Sequence, residues 1–292
     1  MLAEQVLEPS SWEHVQTLWV GAICSVDEVV LKATGQPAVL KHMHAEHRQD
    51  PSIAARCLNE GLILRHLQSG HAAPGIPRLF ALGTLPNGCP ALLLERLGHS
   101  LAERMQPPEG PAKGTQDGTE LLLHVGVQVA DALTRVHDLG VVHRDVRPDN
   151  ILFAKHRSDG DPPHAHDTYL IDFGLAKVFR RDMYLPISTG DEDILGTDLY
   201  MAPEQWECAK YVTGAADIYS LGIVLYQMAS GRVPFADERR QVLMYQHLVT
   251  PPGPLPIHVP RALSRLILSM LAKRSEDRPG AKECGDQLRA LQ

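Results

Sequence analysis

The chain has 292 residues, 44% hydrophobic and 22% charged, enough for a large buried core and ordinary for a globular protein. Lys and Arg number 28 against 35 Asp and Glu, a formal net charge of −7, which argues against nucleic acid as a partner because such binders carry a basic face. The first residues, MLAEQVLEPSSWEHV, lack the basic and apolar regions of a secretion signal, and no run reaches the ~18 apolar residues of a membrane span. Five scattered cysteines without C-x-x-C spacing predict a reducing, cytoplasmic setting in which thiols pack as small hydrophobes.

In chain order, DEVVLKA (27–33) and PAVLKHM (37–43) read as strands joined by a hairpin at Thr34-Gly35-Gln36. His42, His44 and His47 follow. No cysteine or carboxylate completes a zinc-like set with them, so they read as solvated surface, as do His164 and His166. A helix is predicted from about Pro51 to Gln68, with Ile53, Cys57, Leu64 and Leu67 among its apolar positions. GIPRLFALG and CPALLLERL read as two more strands. MQPPEGPAKGTQDGTE (105–120) and AKHRSDGDPPHAHD (154–167) lack apolar periodicity and read as loop insertions. Three helical stretches follow from Glu120: LLLHVGVQVADALTRVHDLG, ADIYSLGIVLYQMASG and RALSRLILSMLAKR. A β-rich first third and a helical remainder predict an α+β protein of two lobes, 1–97 and 98–292. Its small-ligand cleft is expected near Leu97 and Gly98.

Five motifs then fall in a fixed order. VVHRDVRPDNILF (141–153) sets Asp145 five residues before Asn150, and LIDFGLAK (170–177) contains Asp172. GTDLYMAPE (196–204), DIYSLG (217–222) and EDRPG (276–280) follow, while Lys41 in a strand and Glu60 in the next helix lie upstream. This succession resembles the protein kinase family over about residues 21 to 290, and the C-terminal VPRALSRLILSMLAKRSEDRP looks most like its bacterial, eukaryotic-like Ser/Thr branch.

The resemblance implies transfer of the γ-phosphoryl group of ATP to protein Ser or Thr hydroxyls, autophosphorylation included, with Mg²⁺. On that pattern Lys41 contacts the α- and β-phosphates and is held by Glu60. Asp172 and Asn150 ligate Mg²⁺, and Asp145 accepts the proton of the attacking hydroxyl. Gly21 and Val29 lie on the nucleotide, Leu94 is the gatekeeper, and Glu95 and Leu97 offer backbone groups to the adenine. Asp217 supports the catalytic-loop backbone, and Arg278 pairs with Glu204.

Two departures stand out. The family's G-x-G-x-x-G-x-V loop is represented by VGAICSVDEVV (20–30), with Gly21 as its only glycine, so weaker nucleotide binding is expected. Arg147 stands where Ser/Thr kinases carry Lys. It keeps the charge on a wider planar fork, while Pro148 keeps the Ser/Thr pattern. These leave a pseudokinase scaffold as the alternative, whereas MAPE and Thr197 argue against a small-molecule kinase. Arg144, preceding Asp145, implies an anionic partner on the activation segment: the carboxylate of Asp193, or a phosphate on Ser188 or Thr189.

Overall fold

A computed structural model describes residues 6–69, 73–106, 116–155, 168–178, 198–207 and 212–292. The chain divides into two compact units, Met1–Leu97 with Asp172–Asp191, and Gly98–Ile171 with Glu192–Gln292.

In the first unit five antiparallel strands lie in the order β1-β2-β3-β5-β4. They are β1 (Trp12–Val20), β2 (Cys24–Leu31), β3 (Pro37–Met43), β4 (Leu79–Thr84) and β5 (Pro90–Glu95). The predicted hairpin joins β2 to β3, with Gly35 at φ +68° in the turn. β1 was not anticipated from sequence. It is an edge strand exposed along nearly all its length, with register shifts around Val15 and Leu18, so it shows no alternation of apolar and polar residues. One face of the sheet is sealed by Leu7, Trp12, Val29, Ala38, Leu40, Ala91 and Leu93.

The helix α1 (Pro51–Leu67) matches its expected span. Asp50 caps it by accepting from the amides of Ser52 and Ile53, and Pro51 occupies its first turn, where a missing N–H costs nothing. Glu60, Ile63, Leu64 and Leu67 share its buried face at helical spacing. Gly61 allows a close approach to β4: a Cβ there would lie 2.5 Å from a Leu82 methyl.

The second unit is mostly helical: α2 (Leu101–Arg104), α3 (Gln116–Asp138), α4 (Pro203–Glu207), α5 (Ala215–Ser230), α6 (Arg240–Val249), α7 (Arg261–Met270) and α8 (Ala281–Arg289). Short strands β6 (Val141–Val142), β7 (Ile151–Phe153) and β8 (Thr168–Leu170) punctuate it, with β7 and β8 paired antiparallel. α3 begins inside the stretch expected as a loop insertion (105–120). Residues 107–115 of that insertion and most of 154–167 lie outside the described residues. One continuous core unites α3 and α5 with the stripe Leu263, Leu266, Ile267 and Met270 on α7 and with Cys284 and Leu288 on α8. No helix among the described residues is long and apolar enough to cross a membrane.

The histidines divide. His42 bonds Asp27 at 2.9 Å. His44 and His47 lie instead with Glu46, their ligand-capable atoms within 4.8 Å of one another. This corrects the expectation that no carboxylate accompanies them, because a short 3-10 turn over Ala45–His47 folds Glu46 back toward the rings.

His247 on α6 is fully buried among Trp206, Tyr219 and Phe235, accepting or donating at Nδ1 with the Tyr219 hydroxyl at 3.1 Å. Burial, reinforced by the neighbouring charge of Lys273, pushes its pKa down to about 3. The unfolded chain would take up this proton near the ordinary value of about 6.5. Stability from this site is therefore complete above that pH and is lost as pH falls below it, by up to about 1.4 kcal/mol per pH unit. The melting temperature is expected to fall between pH 6.5 and 5, and to fall less steeply in His247→Phe. Parallel pH profiles for the two proteins would refute the assignment.

Candidate active site

Each unit carries its own cluster of the residues singled out from sequence. In the first, Lys41 projects from β3 between two carboxylates, its Nζ donating to Glu60 Oε2 at 2.7 Å and to Asp172 Oδ1 at 3.2 Å. Burial alone would lower the Lys41 pKa, but Asp172 and Glu60 outweigh it and hold the pKa above the ordinary lysine value, so the ammonium stays charged. Asp172 has a left-handed backbone (φ 66°), uncommon for a residue with a side chain, and its Oδ1 also accepts from the Gly174 amide at 3.3 Å.

Strand register decides which other residues share Lys41's face. Val26 lies opposite Lys41 across β2–β3, and Leu92 lies opposite it across β3–β5. Leu94, paired with Val39, is two residues from Leu92 and therefore on the Lys41 face. Val29 is three residues from Val26, an odd step, and is fully buried in the opposite core with Trp12 and Ala38. The expected placement of Val29 on the nucleotide does not fit this register, and Val26 is the valine on the Lys41 face. Glu95 closes β5, its amide donating to the Arg78 carbonyl at 2.8 Å. Leu97 is buried, and its carbonyl accepts from the Arg96 guanidinium.

Gly21 lies in the turn between β1 and β2, its amide donating to the Cys24 carbonyl at 2.9 Å. A Cβ on Gly21 would fall 1.9 Å from the Trp19 ring, so the indole lies directly over the glycine. The loop's glycine-poor sequence therefore has a structural counterpart: an exposed aromatic covers its one bare backbone position.

In the second unit the cluster is organised around Asp217, fully buried in the first turn of α5. Its carboxylate accepts from the amides of His143 and Arg144 at 2.9 and 2.7 Å, and pairs with His137 Nε2 at 2.8 Å. Burial pushes its pKa up, yet the His137 hydrogen bond and the Arg144 amide prevail, and the group lies below the usual carboxylate range. Arg144 has φ 72°, a second left-handed residue, with its backbone held in place by Asp217. His143 Nδ1 accepts from the Asp145 amide at 3.2 Å, and its Nε2 meets the Ile171 carbonyl at 2.9 Å. The pair of contacts demands the Nε2–H tautomer. Asn150 Nδ2 donates to the Asp145 carbonyl at 2.9 Å and to its carboxylate at 2.8 Å.

The Arg147 guanidinium grips Asp149, with Nε and Nη2 each donating to Oδ2 at 2.9 and 2.7 Å. Arg278 meets both oxygens of Glu204 at 2.7 and 2.8 Å. The structure thus joins Lys41, Glu60 and Asp172 in one cluster, and Asp145, Asn150 and Asp217 in another. His137 went unnoticed in the sequence because a lone histidine near a helix end carries no signal of its own. Asp193, Ser188, Thr189 and Thr197 lie outside the described residues.

A five-stranded sheet carrying a Lys–Glu pair and a helical unit whose loop is anchored on a buried aspartate are the features of the protein kinase fold. The model of the protein kinase domain matches residues 12–287, and the chain belongs to that family. It is 34% identical over 247 residues to the serine/threonine-protein kinase Pkn1 of Myxococcus xanthus, covering 84% of this chain and 33% of that protein. It is 32% identical to the serine/threonine-protein kinase PkaA of Streptomyces coelicolor, covering 96% and 47% respectively. With the DNA damage-responsive serine/threonine-protein kinase RqkA of Deinococcus radiodurans it shares 33% identity, covering 84% and 34%. The chain therefore groups with the bacterial Ser/Thr kinases, of which it spans a third to a half of the length. Members of this family use ATP and a divalent cation.

Proposed function

We propose that this domain transfers the γ-phosphoryl group of ATP to Ser or Thr hydroxyls of proteins, itself among them, with Mg²⁺ as the divalent ion. The observation that carries the reading is the charged Lys41 held by both Glu60 and Asp172. A pseudokinase has no need of this triad together with an intact Asp145–Asn150 pair.

The roles follow from the atoms each group offers. Lys41 neutralises the α- and β-phosphate oxygens, with Glu60 fixing its direction. Asp145 accepts the proton as the acceptor hydroxyl attacks the γ-phosphorus and the bond to the β-phosphate oxygen breaks, releasing ADP. Asn150 gives its amide hydrogens to Asp145, which leaves its Oδ1 and the Asp172 carboxylate as the hard oxygen donors that Mg²⁺ prefers. Bound there, the ion would offset charge on the phosphates. Val26 and Leu94 face the adenine side of Lys41, and the backbone of Glu95 and Leu97 supplies its hydrogen-bonding edge. Arg147 takes the γ-phosphate contact, with Asp149 setting its orientation. We read the two lobes as 1–97 and 98–292, and the setting as cytoplasmic, which agrees with the free thiols of the four described cysteines.

The test is transfer of labelled phosphate from Mg-ATP to the chain and to a generic acceptor protein, with phosphosites mapped by mass. Label on Ser and Thr is expected, and none in the wild-type protein would overturn the reading. Calorimetry should also show Cys24→Gly binding Mg-ATP about threefold more tightly, since a bare backbone approaches phosphate more closely. An unchanged Kd would exclude the missing glycine as a limit on affinity.

A further inference from the structure

The four described cysteines differ sharply in setting. Cys89 and Cys284 are sealed in the interior, and burial pushes the Cys284 thiol up to about 12. Cys24, itself buried, and Cys57 face each other, Sγ to Sγ at 3.5 Å. Cys24 opens β2 at the end of the phosphate loop. Cys57 sits on α1, three residues before Glu60, and is partly exposed.

The two thiols are also unequal. The hydrogen bond from Cys57 holds Cys24 below the ordinary thiol value against its burial, with the Lys41 ammonium adding to the effect. The same contact and burial push Cys57 up. Cys24 also lies two residues from Val26, on the face of the sheet that carries the Lys41 ammonium, which favours it as the thiolate of the pair.

We propose that Cys24 and Cys57 form a reversible disulfide when the protein meets a hydroperoxide, and that this bond ties the phosphate-loop strand β2 to α1. The Cys24 thiolate attacks one peroxide oxygen. The O–O bond breaks, and its electron pair leaves with the other oxygen, which takes a proton to become water or an alcohol. Cys24 then carries a sulfenic hydroxyl. The Cys57 sulfur attacks the Cys24 sulfur, and the Cys57 proton leaves with that hydroxide as water. Two thiols are oxidised and one peroxide is reduced. A disulfide of about 2.05 Å requires the sulfurs to close by about 1.5 Å, a shift that side-chain torsions and the end of a loop supply.

The functional consequence rests on the ATP reading above. The loop between β1 and β2 then no longer opens independently of the helix that carries Glu60, which hinders nucleotide entry and ADP release.

The experiment treats the whole chain with near-stoichiometric hydrogen peroxide, blocks remaining thiols, and maps peptides without reduction. A Cys24–Cys57 linked peptide is expected before any other cysteine is modified, and dithiothreitol should reverse it. Cys57→Ser should give no linked peptide, trap Cys24 as a dimedone-reactive sulfenic acid, and keep its basal phosphotransfer. Absence of the linked peptide, or prior modification of Cys89, Cys208 or Cys284, would overturn the proposal. In the oxidised protein the apparent Kd for Mg-ATP should rise about fivefold or more. A linked protein with unchanged Kd would overturn the locking half of the proposal. Reduced protein that binds no nucleotide would instead sink the ATP reading, since peptide mapping does not depend on it.

Discussion

Asp145→Asn is expected to lower kcat for phosphoryl transfer by about 10²–10⁴-fold, the range a positioned general base contributes. That corresponds to about 3–5 kcal/mol of barrier. The substitution is nearly isosteric, and the amide it introduces keeps an oxygen to accept from Asn150 Nδ2, which in the wild-type protein donates to the Asp145 carboxylate at 2.8 Å. The loop backbone should also persist, because Asp217 holds the amides of His143 and Arg144 rather than anything on Asp145 itself. KM for ATP should therefore stay within a few-fold of wild type, since Lys41, Glu60 and Asp172 are untouched. A variant that kept more than about a tenth of the wild-type rate, ~1.4 kcal/mol of barrier, would remove Asp145 from the base role. Lys41→Met is a less clean probe. It takes from the buried Glu60 and from Asp172 the ammonium they share, so a loss of activity there mixes chemistry with stability.

The largest loss of stability is expected from Arg278→Ala. The guanidinium is completely buried and uses every side of its fork. Nε donates to the Ala272 carbonyl, Nη1 to Glu204 and the Ala215 carbonyl, and Nη2 to Glu204 and the Lys273 carbonyl, all at 2.7–3.0 Å. The plane also lies over the Tyr219 ring at 4.9 Å. Truncation removes two donors from the Glu204 carboxylate and one from each of three carbonyls. Breaking such a pair from one side costs about 3–5 kcal/mol. For a domain of this size that lowers the melting temperature by about 6–20 °C. Arg278→Lys should recover little, because one ammonium cannot serve five directions. Glu204→Ala should destabilise as well, and the double variant should lose less than the sum of the two. A fall of under about 3 °C in Arg278→Ala would mean that water or repacking replaces these contacts.

Much of this was readable from the chain. The spans of α1, α5 and the β2–β3 hairpin follow from apolar spacing, the Asp50-Pro51 cap and the Thr34-Gly35-Gln36 turn. Those signals are local, set by residues a few positions apart. The motif order likewise singled out Lys41, Glu60, Asp145, Asn150 and Asp172. The resemblance to the protein kinase family also implied the Arg278–Glu204 pair, which the structure contains.

What only the tertiary structure decided are matters of face and distance. Side chains alternate across a strand, so Val26 and Val29, both apolar and three residues apart, land on opposite sides of the sheet. Only the pairing of β2 with β3 shows which one joins Lys41. The edge strand β1 was invisible because exposure on both faces erases the alternation by which strands are read. His137 reaching Asp217 across 80 residues and Cys24 meeting Cys57 across 33 are contacts between distant segments. Composition and periodicity describe neighbours along the chain. These contacts depend on how helices and strands pack in three dimensions, which no local pattern encodes.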